Sequence, residues 1–89
     1  MACVRPDGSL TEAAVRALGL LAGGEAVQAL AVAKALGKPL FIARGILREL
    51  GEARLVTAEG EAVAGSPATA LFRITPAGEA ARETGRVGS

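Results

Sequence analysis

Residues 29–39 read Ala29-Leu30-Ala31-Val32-Ala33-Lys34-Ala35-Leu36-Gly37-Lys38-Pro39, and their reading decides the fold. The run from Ala29 to Leu36 is helical in composition, with Leu30, Ala33 and Leu36 on one side. Gly37 stops it, because glycine accepts the left-handed backbone that closes a helix. Lys38-Pro39 restarts the chain, and proline's fixed φ suits the first position of a new helix. The stretch is therefore a helix, a tight glycine turn and a second helix.

That next helix is expected from about Pro39 to Ala53. At about 100° per residue, Leu40, Ala43, Ile46, Leu47 and Leu50 fall on one apolar face. Lys38, Phe41, Arg44, Gly45, Arg48 and Glu52 fall on or near the other. Beyond it, Leu55-Val56-Thr57 and Ala70-Leu71-Phe72-Arg73-Ile74 have the apolar and β-branched character of strands. The loop between them, Glu59 to Pro67, contains two glycines and a proline, so the pair forms a β-hairpin. Thr75-Pro76 signals a short last helix to about Glu83.

Upstream, residues 1–8 read as an irregular lead with a turn at Pro6-Asp7-Gly8. Ser9 and Glu12 have the spacing of a capping box. The helix they would open carries Leu10, Ala14, Ala17, Leu18 and Leu21 on one stripe and ends at Gly23-Gly24. Glu25 to Gln28 fits a short strand. The sequence thus divides into a lead (1–8), one domain (9–83) and a tail (84–89) without apolar periodicity, expected to be disordered.

Composition narrows the function. At 89 residues the chain is one small domain, and its apolar half is mostly Ala, Leu and Val, with two Phe and no Trp or Tyr. Small aliphatic contacts suit packed helices better than a large ligand cavity, and no small-molecule ligand or cofactor is indicated. Cys3 is the single cysteine and there is no histidine, so neither a disulfide nor a Cys/His metal site is expected. General acid–base catalysis would want His or paired carboxylates in a cleft. Gly23-Gly24 lacks the Gly-Lys-Ser/Thr continuation of a phosphate-cradling loop. An enzyme is not expected. Met-Ala-Cys-Val-Arg has no signal-peptide character, and Ala26–Leu36 is too short for a membrane span, so the expected location is the cytoplasm.

Three stretches resemble winged helix-turn-helix regulators of the MarR, PadR and ArsR type. Leu30-Ala31-Val32-Ala33-Lys34-Ala35-Leu36-Gly37 is similar to the second helix and turn of the motif. Ile46-Leu47-Arg48-Glu49-Leu50-Gly51-Glu52-Ala53-Arg54-Leu55-Val56 is similar to a recognition helix running into a wing strand. Phe72-Arg73-Ile74-Thr75-Pro76-Ala77-Gly78 is similar to the strand that leads into the last helix. The resemblance implies an α+β, mainly α fold: a three-helix bundle, a β-hairpin wing and a short C-terminal helix. Such regulators often place glycine where Arg54 stands, since the chain leaves the helix there with positive φ. Arg54 is expected to take that conformation at about 1 kcal/mol. These 89 residues are too few to hold the long helices that pair MarR-type subunits, so dimerisation is not expected to carry over from the resemblance.

The resemblance implies double-stranded DNA as partner, with the third helix in the major groove. Residues 34–54 carry five cations against two acids, a local +3 in a chain whose total is +1. Phosphate attraction supplies much of DNA affinity, so this concentration favours DNA. The candidate contacts are Lys38, Phe41, Arg44, Gly45, Arg48 and, in the wing strand, Arg73. Glu59 and Glu61 at the wing tip would repel phosphate. Gly45 fits either close approach of DNA or relief of crowding within the protein. Phe41 and Ile42 also fit an alternative, a protein-interaction or dimerisation module that does not bind DNA. A homodimer or other protein partner therefore stays open beside DNA.

Overall fold

The computed structural model describes residues 3–59 and 71–87. Helix α1 spans Glu12–Leu21 and opens on Thr11, whose hydroxyl accepts the Ala14 N–H at 3.3 Å. Ser9 is thus not the cap. Its N–H and hydroxyl both donate to the Asp7 carboxylate, and its backbone pairs with Arg86 in an isolated bridge. Ala14, Ala17, Leu18 and Leu21 form the expected buried stripe.

A two-residue strand, β1 (Val27–Gln28), leads directly into α2 (Ala29–Leu36). Gly37 caps α2 in the left-handed region, at φ 67°. Here φ must be positive, which is why glycine and not alanine ends the helix. The buried side of α2 is Ala29, Val32, Ala33 and Leu36; Leu30, expected there, is 37% exposed. The spacing i, i+3, i+4, i+7 from Ala29 excludes it.

Helix α3 spans Leu40–Glu52, with Pro39 as its cap rather than its first turn. Ala43, Ile46, Leu47 and Leu50 are buried and Leu40 partly so. Burial of a single leucine of this kind contributes about 1.5–3 kcal/mol. At the end of α3 the Leu55 N–H donates to the Leu50 carbonyl at 2.9 Å, and Arg54 has φ 64°. The chain turns there as the resemblance implies.

Strands β2 (Val56–Glu59) and β3 (Leu71–Ile74) pair antiparallel, Val56 opposite Ile74 and Ala58 opposite Phe72. β3 also pairs with β1, Val27 opposite Phe72, so the sheet has three strands in the order β1-β3-β2. The loop from residue 60 to Pro67, with Glu61, and Ala70 lie outside the described residues, as do 88 and 89. Helix α4 (Pro76–Thr84) opens on Thr75, whose hydroxyl accepts the Gly78 N–H at 3.0 Å and donates to the Arg54 carbonyl at 2.8 Å. One side chain therefore ties the start of α4 to the exit of α3.

Residues 3–8 and 84–87 are tied into the fold, although they read as an irregular lead and a tail. Cys3 is part of the core, and Val4 pairs with Leu10 around the turn at Pro6-Asp7-Gly8. Residues 84–87 are not a free tail: Gly85 caps α4, the Leu10 N–H donates to the Gly85 carbonyl, and the Val87 N–H donates to the Gly8 carbonyl. Arg86 adds a 2.7 Å bond to the Asp7 carbonyl. Among the described residues no helix is long and apolar enough to cross a membrane.

Candidate nucleic-acid interface

The site is built on the side of α3 that the core does not use. Phe41, Arg44 or Gly45, Arg48 and Glu52 are spaced three and four residues apart, so they share a face. The structure brings them together with Gly51 along one wall of a solvent-open cleft of about 650 Å³. Val56, Ala58 and Phe72 of the sheet form the other wall. The sheet wall went unread in the sequence, although alternation puts Val56 and Ala58 on one side of β2.

Phe41 is 70% exposed, whereas Ile42 is half-buried and packs against the core. The apolar pair expected on the surface is thus a single aromatic ring. Arg44, Arg48 and Lys38 are exposed, with Lys38 beside Pro39 at the start of α3. No side chain caps that end, so its first N–H groups and the helix dipole add to the positive potential.

Two of the remaining residues are decided by their neighbours. A Cβ built on Gly45 would meet nothing within 4 Å among the described residues, so none of them crowds this position. Arg73 is turned elsewhere: its guanidinium donates to the Gly24 carbonyl, at the turn that follows α1. It stands apart from the α3 cluster and holds β3 against that turn.

The acids of α3 differ in the same way. Glu52 lines the cleft. Glu49 is half-buried and its Oε1 accepts the Cys3 N–H at 2.9 Å, which anchors the N-terminal segment to α3. Cys3 also contacts the Ile46 carbonyl, at 4.0 Å. Burial, helped by the Glu49 charge, pushes its thiol up to about 11. Such a thiol is a packing group and is inert as a nucleophile at neutral pH.

Three helices, a three-stranded sheet whose β2–β3 pair follows the third helix, and a closing helix stand in one arrangement, which is also that of solved regulators. BpsR of Bordetella bronchiseptica, whose DNA binding is regulated by 6-hydroxynicotinic acid, superposes with TM-score 0.72. Identity is 26%, over 89% of this chain and 54% of that one. The fold is a winged helix. A possible transcriptional regulator from Methanosarcina mazei Go1 shares it, with TM-score 0.62 and 14% identity over 80% of this chain and 61% of that one. No family model and no curated protein matches the sequence. The winged helix here spans about half the length of BpsR. Within it, α2, Gly37 and α3 are the helix-turn-helix, and β2 with β3 carry the wing.

Proposed function

We propose that this domain is the DNA-binding part of a transcriptional regulator and docks α3 in the major groove of duplex DNA. The observation that carries the reading is the shared exposed face of Phe41, Arg44, Gly45 and Arg48, with Lys38 at the helix start. Groove recognition needs a helix whose outer face is free to enter, with cations for phosphates and side chains for base edges. The likeness to BpsR, a protein that binds DNA, supports it. Lys38 serves the phosphate backbone; Arg44 and Arg48 serve bases or phosphates. Arg73 is left out, because its guanidinium already holds the Gly24 carbonyl.

The test is fluorescence anisotropy with random-sequence duplex at several salt concentrations. Affinity is expected to fall steeply with salt, and Arg44→Ala/Arg48→Ala to weaken binding. A double variant that binds like the parent would overturn the assignment of α3. The exposure of Phe41 favours one second reading, self-association or a protein partner through that ring. It predicts a salt-insensitive complex, seen by sedimentation and lost in Phe41→Ser.

A further inference from the structure

Two features of the outer face are odd for a surface that only holds phosphates. Phe41 keeps most of its ring in water, and Gly45, one turn further on, leaves an open notch that no part of the described protein fills. An exposed aromatic ring gains nothing until something apolar covers it. A glycine inside a helix lowers stability by roughly 0.5–1 kcal/mol relative to alanine. Among the described residues neither feature serves packing, since Phe41 is 70% exposed and a Cβ at 45 has no neighbour within 4 Å.

Duplex DNA offers one apolar group on its major-groove edge, the thymine 5-methyl. Beside Phe41 and Gly45 on the same face stand Arg44 and Arg48, whose forked guanidinium groups match the O6 and N7 acceptors of guanine. From Phe41 to Arg48 the helix rises about 10 Å, the length of about three base-pair steps. We infer that the outer face of α3 selects sites in which a thymine, read by its methyl group against Phe41 and the Gly45 notch, lies within about three base pairs of a guanine read by Arg44 or Arg48. This rests on the DNA-binding reading and adds to it a sequence preference and the residues that set it.

The apolar cleft fits this assignment better than a phosphate site would. Gly45 and Gly51 on its helix wall and Val56, Ala58 and Phe72 on its sheet wall offer an anion little, while the cations stand on the helix side. Phosphate contacts then belong to the ends of the helix, at Lys38 and beyond, and base contacts to the middle.

The experiment is selection of duplexes from a random pool with the intact chain, followed by anisotropy on the enriched site. Each thymine is replaced in turn by uracil, which removes only the methyl group, and each guanine by 7-deazaguanine, which removes N7. One uracil substitution is expected to weaken binding of the parent about fourfold, the worth of one buried methyl-sized group. It should leave Phe41→Ala unaffected. A 7-deazaguanine within three base pairs is expected to cost about fivefold or more, reduced in Arg44→Ala or Arg48→Ala. The DNA-side substitutions keep the test independent of how any variant folds. If the parent binds duplex with the expected salt dependence but reads uracil as well as thymine at every position, the inference is overturned and the DNA-binding reading stands. If the parent binds no duplex, both fall together.

Discussion

Two glycines inside helices, Gly78 in α4 and Gly45 in α3, look alike in the sequence and do opposite things in the structure. A Cβ on Gly78 would lie 2.1 Å from the Leu55 carbonyl oxygen and 2.8 Å from Ile74 Cγ1. The close approach of α4 to the exit of α3 needs a residue without a side chain. At Gly45 the same Cβ meets nothing within 4 Å among the described residues. The first glycine is there for the fold, and the second costs the fold stability with no return inside the described molecule. That difference separates a glycine the packing requires from one it does not.

The largest effect should come from Gly78→Ala. The obstacle is a backbone oxygen, which cannot rotate away, so α4 must shift off Leu55 and strain the Thr75 bonds to Arg54 and Gly78. Overpacking of this severity is expected to cost about 3 kcal/mol or more, a fall in Tm on the order of 15 °C. A melting curve within a degree or two of the parent would show that α4 is not seated as described, and the contrast would collapse.

Much of this fold was legible because its signals are local. Gly37 and Pro39 frame the turn, Thr75-Pro76 caps the last helix, and the stripe of α3 follows from spacing alone. What escaped depends on contacts far apart in the chain. Ser9 has the spacing of a cap, yet Asp7 and Arg86 claim it, and Arg86 lies at the other end of the sequence. Cys3 has no periodic partners, so nothing local marks it as core, and its anchor is Glu49. Arg73 reads as a wing cation until its partner, Gly24, is placed beside it. For the candidate interface, spacing put Phe41, Arg44, Gly45 and Arg48 on one face. It gave no sign that Gly45 is uncrowded, because that is a statement about what is not nearby.

A second test sharpens the inner side of α3. The Cys3 thiol is pushed up to about 11 in the folded chain, by burial first and then by the Glu49 charge. An unfolded cysteine ionises near 8.5. Its contribution to stability is therefore fully present below about pH 8.5 and is lost as pH rises through the folded value. Denaturant midpoints should hold level to that point and then fall, and Cys3→Ala should flatten the alkaline slope while lowering the midpoint at pH 7. Alkylation of the native thiol at pH 8 should be much slower than alkylation of the denaturant-unfolded chain.

Arg54 supplies a smaller and opposite effect. It holds φ 64°, where a side chain is strained by about 1 kcal/mol. Arg54→Gly removes that strain, and the extra freedom of glycine in the unfolded chain offsets part of the gain. The expected outcome is a rise in stability of about 0.5 kcal/mol by chemical denaturation. A loss would mean that the Arg54 side chain makes a contribution exceeding its backbone strain.

A similarly modest change in stability is expected from Gly45→Ala, and it is the one that decides what the comparison means. The methyl group enters open space, so alanine's better helix propensity should appear in full, about 0.5–1 kcal/mol in favour of the variant. Every residue of the core is untouched, and a shift of a few degrees upward in Tm reads it out. If the notch exists to admit a thymine methyl, the same substitution should weaken binding to the selected duplex and shrink the gap between thymine and uracil. Stability and binding would then move in opposite directions on the addition of one carbon. A variant that is more stable and binds the selected duplex as tightly as the parent would make Gly45 a tolerated defect. A variant that is less stable would reveal a neighbour at the notch and put Gly45 in the same class as Gly78.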